Sequence, residues 1–153
     1  MKVLVISDSH GYRAAIRMVM LNESPDLVLH LGDNVRDCGI FREEFPETPL
    51  RVVRGNGDFG SAGLDVDEFE LEGKKFFMTH GHLYDVKMTF SSIIRTAKER
   101  EVDILLFGHT HKQYFSSDEG FIMLNPGSIG GAERAYAIIE ISGGEVFVNT
   151  YKS

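Results

Sequence analysis

Three short apolar segments, separated by helix-like stretches, constrain the fold of this chain most strongly. They cover residues 2–7, 26–31 and 49–54, and each contains Val, Leu or Ile in succession. The intervening residues 12–23, and more weakly about 37–45, show helical spacing of their apolar side chains. Continuous apolar runs are typical of strands that are buried on both faces. This part of the chain therefore predicts a parallel sheet with helical crossovers.

The apolar periodicity changes in the second half of the chain. Residues 67–72 and 75–80 alternate around a Gly-Lys-Lys turn, which predicts a β-hairpin. A helix is predicted over 86–100 and a buried strand over 103–108. About ten strands exceed what one flat sheet accommodates, whereas two packed sheets with helices outside would bury every apolar face. The remaining strands are predicted at 112–117, 121–125, 135–141 and 145–151.

Size and composition limit the class of protein. We expect one domain over residues 1–153, which is long enough to bury its own core. No apolar run approaches the roughly 20 residues of a membrane span, and the first strand is too short for a signal peptide. The net charge of −7 disfavours long nucleic acid as a partner. The lone cysteine, Cys38, cannot form an intrachain disulfide and suits the cytoplasm.

Residue types that bind metals follow the carboxyl ends of the predicted strands. Ligands bind at this edge in α/β sheets, so we expect the five loops to meet in one crevice if the strand ends lie side by side. Imidazole, carboxylate and amide donors together favour Mn, Fe, Zn, Co or Ni over Ca²⁺ or an isolated Mg²⁺. The five segments are Asp8-Ser9-His10, Gly32-Asp33-Asn34, Gly55-Asn56-Gly57-Asp58, His80-Gly81-His82 and Gly108-His109-Thr110-His111.

Single residues of this set have simpler interpretations. Asp33 alone could be a helix N-cap, and Asn56 in an Asn-Gly pair is more often a turn residue. His30 lies within an apolar segment and is interpreted as a core histidine with one hydrogen-bonded nitrogen. The other five of the six histidines all fall in loops after strands. The ordered set therefore favours a metal site.

The spacing within two of the loops suggests paired ligands. In an extended segment, side chains two positions apart point the same way, so Asp8 and His10 could bind one ion together, and His109 and His111 likewise. Seven ligands exceed the need of one ion and fit two ions that share a carboxylate. Two such ions, about 3.5–4 Å apart, form the clamp used to hydrolyse phosphoryl esters. No phosphate-binding loop of the nucleoside-triphosphatase type is present.

Taken in order, the motifs DSH, GDN, GNGD, THGH, GHTH and NPGS resemble those of the calcineurin-like metallophosphoesterases, in particular the small single-domain phosphodiesterases of bacteria and archaea. The resemblance covers essentially the whole chain. It implies a four-layer α/β/β/α sandwich, with two mixed β-sheets flanked by helices. It also implies two divalent transition-metal ions per chain, with Mn first and Ni, Fe, Zn and Co as alternatives. The implied ligands are Asp8, His10 and His111 for one ion, Asn56, His80 and His109 for the other, and Asp33 as the bridge.

The chain departs from the wider family at Gly57. Many members have a histidine there, which is thought to protonate the leaving group. His82 is the candidate substitute, and Asp58 is expected to orient the loop or a metal-bound water. The segment Asn125-Pro126-Gly127-Ser128 is interpreted as a structural turn beside the site.

The resemblance implies hydrolysis of a small phosphodiester by a hydroxide that bridges two metal ions. One alternative is an inactive scaffold, similar to the retromer subunit that shares this fold. Another is a phosphomonoesterase. The chain lacks a large inserted cap, so its specificity is expected to be loose or to depend on a homo-oligomeric partner.

Overall fold

A computed structural model describes residues 1–153. Its helices are α1 (Arg13–Glu23), α2 (Gly39–Glu44) and α3 (Ser91–Glu99), with 3-10 turns at Val35–Cys38 and His82–Tyr84. Its strands are β1 (Lys2–Ile6), β2 (Leu27–His30), β3 (Leu50–Val52), β4 (Val66–Leu71), β5 (Lys74–Thr79), β6 (Ile104–Leu106), β7 (Tyr114–Asp118), β8 (Phe121–Asn125), β9 (Tyr136–Ser142) and β10 (Glu145–Tyr151).

The strands form two five-stranded sheets. The first has the order β10-β9-β1-β2-β3, and its strands β1, β2 and β3 are parallel. The second has the order β4-β5-β6-β8-β7, with β5, β6 and β8 parallel and an antiparallel strand at each edge. Both sheets are therefore mixed, as predicted.

Alternation along the central strands separates the layers. In β1, Val3 and Val5 pack into the core between the sheets, whereas Leu4 and Ile6 pack against α1 and α2. On the far side, Phe77 of β5 and its neighbours in β6 pack against α3. Successive side chains of a strand point to opposite faces, so each sheet packs against the other sheet on one face and against helices on the other. The predicted α/β/β/α sandwich is confirmed.

Helix α1 agrees closely with its prediction. The four residues expected on its apolar face are the four that are buried, and the helix ends where Ser24 adopts a left-handed conformation with a φ of 46°. The backbone N–H of Ser24 still donates to the carbonyl of Met20 at 3.0 Å, which closes the last turn.

The helix predicted over 86–100 is wrong at its start, because α3 begins at Ser91. Val86 lies in the loop before α3 and packs into the same hydrophobic core as this helix, so its apolar side chain fits the helical spacing although it is not in the helix. Asp85 has a φ of 55°, which is incompatible with a continuing right-handed helix. The predicted helix over 37–45 is also divided, since a 3-10 turn precedes α2.

Backbone hydrogen bonds join the loops at the carboxyl ends of the parallel strands. Asp8 N–H donates to the Gly32 carbonyl at 2.9 Å, which ties the loops after β1 and β2. Gly108 N–H donates to the His80 carbonyl at 2.9 Å, which ties the loops after β5 and β6. Each sheet thus presents its polar loops along one edge. None of the helices has the length and apolar character that a bilayer crossing requires.

Candidate metal centre

The first group of candidate ligands is formed by Asp8, His10 and His111. One donor atom from each lies within 4.8 Å of the other two. The Nε2 atom of His111 is 3.0 Å from Oδ1 of Asp8, and the rings of His10 and His111 are 5.0 Å apart. Asp8 is fully buried whereas both histidines are exposed, so this group opens to solvent on one side.

The second group is formed by Asp8, Asp33 and His80, again with donor atoms within 4.8 Å of one another. The Nε2 atom of His80 lies 3.5 Å from Oδ2 of Asp33 and 3.9 Å from Oδ1 of Asp8. His109 contacts this group through His80, because its Nδ1 atom is 3.2 Å from Nε2 of His80. Asp8 therefore belongs to both groups, whereas the resemblance gives the shared position to Asp33.

The orientation of His80 fits a metal ligand. Its Nδ1 atom is 2.8 Å from the carbonyl oxygen of Leu31, which can only accept a hydrogen bond. Nδ1 therefore carries the proton, and in the neutral ring the lone pair of Nε2 faces the two carboxylates. Metal-binding histidines are typically held in this way by a carbonyl on the other nitrogen. The donor set of buried carboxylates and oriented imidazoles fits divalent transition-metal ions.

Asn56 is presented on a turn. The N–H of Asp58 donates to the carbonyl of Gly55 at 3.1 Å and closes this turn around Asn56 and Gly57. Neither central residue has a positive φ, so this is not the hairpin turn that Asn-Gly pairs usually form. Asn56 is exposed and its side chain makes no hydrogen bond within the protein. Gly57 N–H donates to Oδ1 of Asp33 at 2.8 Å, which places Asn56 beside the second group.

The Asp58 side chain connects two loops of the centre. Its Oδ2 atom accepts the N–H groups of Asp33 at 2.8 Å and Gly55 at 2.7 Å. Its Oδ1 atom accepts the N–H of Val35 at 3.0 Å, and the residue is buried. These contacts fit the loop-orienting role expected of Asp58, since the carboxylate is engaged by the backbone rather than directed at solvent.

The candidate ligands adopt an unusual backbone conformation. Asp8, His10 and Asp33 have φ values of 52°, 47° and 65°, and His109 and His111 have values of 69° and 62°. The assumption of extended loops was therefore wrong, because these residues lie in turns beyond the ends of the strands. His109 contacts His80, whereas His111 contacts Asp8, so this pair does not point the same way. Left-handed non-glycine residues cost about 1–3 kcal/mol each and cluster at functional sites.

Hydrogen bonds from three further side chains support the loops of the centre, and only one of these residues, Ser7, was not expected from the sequence. Ser7 Oγ donates to Oδ2 of Asp8 at 2.5 Å, and Ser128 Oγ donates to the Asp8 carbonyl at 2.8 Å. Asn125 Nδ2 donates to the Gly108 carbonyl at 3.1 Å. The Asn125–Ser128 motif was expected to shape a loop beside the site, which agrees with these contacts. A serine directly after a strand, such as Ser7, carries no comparable signal.

His30 is a core histidine, as expected, but both of its ring nitrogens are hydrogen-bonded. Gly32 N–H donates to Nδ1 at 3.1 Å, so the proton resides on Nε2, which lies 3.1 Å from Oγ of Ser9. Burial lowers the pKa of His30 to about 4. The neutral ring thus links the loops after β1 and β2 without occupying a ligand position.

Burial and charge act in opposite directions on the ionisable groups of the centre. Burial raises the pKa of Asp33, but the contact with His80 and the N–H of Gly57 outweigh it, and the pKa lies below its usual range. Burial lowers the pKa of His80, but Asp33 and Asp8 reverse this effect and the pKa is raised. Burial, together with the charge of His80, lowers the pKa of His109 to about 4. The Asp33 carboxylate is thus ionised and available to bind a cation.

His82 lies at the margin of the centre. Its ring centroid is 5.5 Å from that of His80 and 6.2 Å from that of His109. Its Nδ1 atom is buried and has no hydrogen-bond partner, while the residue as a whole is half-buried. Burial, followed by the charge of His80, lowers its pKa. His82 therefore offers a nitrogen next to the candidate ligands without joining either group.

Curated proteins from bacteria and archaea resemble this chain over most of its length. The probable metallophosphoesterase YsnB of Bacillus subtilis is 35% identical, over 99% of this chain and 90% of its own length. The phosphodiesterase MJ0936 of Methanocaldococcus jannaschii is 28% identical, over 86% of each chain.

Solved structures extend the likeness to the fold. A predicted phosphoesterase from Streptococcus pneumoniae superimposes with a TM-score of 0.82 at 32% identity, covering 99% of this chain and 88% of its own. Vps29 of Entamoeba histolytica, solved with Zn²⁺, superimposes with a TM-score of 0.78, covering 99% of each chain; at 24% identity this likeness concerns the fold alone. The family sequence model of the calcineurin-like phosphoesterase superfamily domain matches residues 1–144 of this chain. The chain therefore belongs to the calcineurin-like phosphoesterase superfamily.

Proposed function

We propose that this protein is a dinuclear metal-dependent phosphodiesterase that hydrolyses a small phosphodiester. The observation that carries the proposal is the convergence of Asp8, Asp33 and His80 within 4.8 Å at the edge shared by the two sheets. The archaeal relative named as a phosphodiesterase supports a diester as substrate. Mn²⁺ is the proposed metal, with Ni²⁺, Fe²⁺, Zn²⁺ and Co²⁺ as alternatives.

Seven residues form the proposed ligand set, and His80 is the member whose orientation supports it most directly. Two divalent ions bound there would activate a water as nucleophile and offset the negative charge of the phosphate. The buried carboxylate of Asp8 is held by Ser7 and the His80 ring by Leu31, so both donors are oriented in advance. The proposed ligands are Asp8, His10 and His111 for one ion, Asn56, His80 and His109 for the other, and Asp33 between them.

The proposed proton donor to the leaving group is His82. It is supported by the unpartnered Nδ1 atom of His82 and by its position next to His80 and His109. Gly57 contributes no side chain at the position where the resemblance to the wider family implies a histidine. Asp58 acts as a positioning residue, because it holds the backbone of Asp33 and Gly55 rather than a reacting atom.

The proposal is tested by hydrolysis of bis-p-nitrophenyl phosphate with added Mn²⁺, Ni²⁺, Co²⁺ or Zn²⁺. We expect metal-dependent turnover that chelation by EDTA abolishes. Parallel assays with p-nitrophenyl phosphate distinguish a diesterase from a phosphomonoesterase. The two esters release the same chromophore, so their rates of hydrolysis can be compared directly. Failure to hydrolyse the diester with any of the four metals would contradict the proposal.

The second candidate is the one that the resemblance implies, an inactive scaffold that binds a protein partner, and the fold shared with Vps29 is compatible with it. The chain has a residue able to bind metal at each of the seven ligand positions that the family resemblance implies. This favours an enzyme over a scaffold. The variant Asp33→Asn separates the candidates, since an enzyme should lose metal and activity whereas a scaffold should keep its partner.

We propose the cytoplasm as the location of this protein. Cys38 packs against the core beneath α1, and burial raises the pKa of its thiol to about 12, with Asp37 adding to the effect. Such a thiol is unreactive, which suits a structural role in a reducing compartment.

A further inference from the structure

A cavity of about 510 Å³ adjoins the candidate metal centre. Thr110, the residue between His109 and His111, contributes to its lining. Lys87 also lines it, from the segment that precedes α3. The cavity therefore lies next to the loop that carries two of the proposed ligands, and its volume is in the range of small-ligand sites.

The apolar wall of this cavity includes two aromatic rings, Phe90 and Tyr114. They meet edge to face with centroids 4.9 Å apart, and Phe90 is fixed from behind by Phe107 at 5.1 Å. Tyr114 remains 38% exposed. A rigid, partly exposed ring offers a face on which a planar group can stack.

The rim of the cavity is cationic. Lys87 and Lys112 both line it, and neither takes part in any of the salt bridges of the protein. The chain as a whole carries a net charge of −7. Two ammonium groups without a salt-bridge partner, next to the candidate metal centre of an otherwise acidic protein, indicate an anionic ligand. Lysine commonly binds phosphate as a point charge.

We propose that the Thr110 pocket, defined by Lys87, Phe90, Thr110, Lys112 and Tyr114, binds the nucleoside half of a phosphodiester that carries a second phosphate. The base stacks on Tyr114, and the second phosphate lies between the two lysines. The diester phosphate then reaches the candidate metal centre past Thr110. This inference rests on the proposed phosphodiesterase function and narrows its substrate class to phosphorylated nucleotides.

Two chromogenic substrates isolate the contribution of the second phosphate. Thymidine 5′-(p-nitrophenyl phosphate) and the same compound with a 3′-phosphate release the same leaving group. We expect the 3′-phosphorylated ester to have a KM about fivefold lower in the wild-type protein, with a similar kcat. Equal KM values for the two esters would overturn the inference.

Variants assign this preference to the pocket. Lys87→Gln and Lys112→Gln should each reduce the KM advantage about threefold, and the double variant should remove it. Lys152→Gln is the matched control, because it deletes the same charge from an exposed position outside the pocket. Tyr114→Leu should raise the KM of both esters. A preference that survives in the double lysine variant would contradict the assignment.

Calorimetry with thymidine 3′,5′-bisphosphate, on protein kept metal-free by EDTA, tests the pocket without catalysis. The wild-type protein should bind this probe more tightly than the double lysine variant, by about tenfold or more. Identical affinities would contradict the pocket even if both esters were hydrolysed. Hydrolysis of neither ester, with the affinity difference intact, would contradict the phosphodiesterase function while leaving the pocket supported.

Discussion

The Oδ2 atom of Asp58 accepts the backbone N–H of Asp33 at 2.8 Å. The same oxygen accepts the N–H of Gly55 at 2.7 Å, so one buried carboxylate fixes the loops on which Asp33 and Asn56 lie. The geometry of two proposed ligands thus depends on a residue that need not touch the metal.

Replacement of Asp58 tests this dependence. In Asp58→Ala, three backbone N–H groups lose their acceptor, so we expect the free energy of unfolding to fall by about 2–3 kcal/mol. Metal affinity should fall about tenfold or more, because the orienting contacts of ligands are lost. Chemical denaturation and metal titration measure the two effects. Asp103→Ala is the control, since Asp103 also accepts a backbone N–H, from Lys75, but far from the centre. Equal metal affinity in both variants would refute the positioning role.

His30 should make stability depend on pH. Its unfolded pKa is about 6.5, and burial lowers the folded value to about 4. Between these values the unfolded chain binds more protons, so stability is complete above pH 6.5 and is lost as the pH falls towards 4, by about 3 kcal/mol. Denaturant titrations at several pH values should show a smaller decline in His30→Gln. A ring resonance of His30 that titrates near pH 6.5 would contradict this explanation.

Gly57 provides a test of the missing proton donor. A Cβ atom at this position would lie 3.2 Å from Oδ1 of Asp33, a tight contact that a small shift relieves. Gly57→Ala should therefore lower activity modestly, whereas Gly57→His adds an acid at the position where the family resemblance implies one. For a diester with a poor leaving group, we expect the His variant to exceed the Ala variant about tenfold in kcat. Equal rates in the two variants would argue against a proton donor at this position.

The effect of replacing His82 on the rate of hydrolysis should be larger for esters whose leaving group needs a proton. In His82→Gln, hydrolysis of a poorly activated alkyl diester should slow about tenfold or more, while bis-p-nitrophenyl phosphate should be nearly unaffected because nitrophenolate leaves without a proton. The variant should also change the alkaline limb of the pH–rate profile. A uniform loss for both esters would indicate a structural role instead.

The shared ligand can be identified by metal stoichiometry. If Asp33 bridges the two ions, Asp33→Asn should reduce the binding of both, while Asp8→Asn should retain about one ion per chain. Equilibrium dialysis with Mn²⁺ measures the difference. If Asp8→Asn instead reduced the binding of both ions, the bridging ligand would be Asp8, the residue that belongs to both geometric groups.

The layers of the fold were predictable because burial leaves a periodic pattern. Val3 and Val5 alternate with Leu4 and Ile6, and the two sets face different cores. The start of α3 was not predictable in this way, since Val86 is buried from a loop whose conformation depends on the left-handed Asp85.

The convergence of Asp8, Asp33 and His80 was predictable, but the conformation of the loops that carry them was not. The loops after parallel strands meet at one edge, so Asp8, Asp33 and His80 could be expected to converge. The left-handed φ of Asp8 depends on tertiary contacts, including the hydrogen bond from Ser128, more than 100 residues away in the chain. Local spacing therefore could not show that His109 and His111 approach different partners.

The most direct test of the central claim is the number of Mn²⁺ ions bound per chain, measured by elemental analysis after dialysis and paired with hydrolysis of bis-p-nitrophenyl phosphate on the same sample. Two equivalents, with activity that disappears as both are removed, are the predicted result. One equivalent or none in active protein with all seven ligands intact would contradict a dinuclear centre.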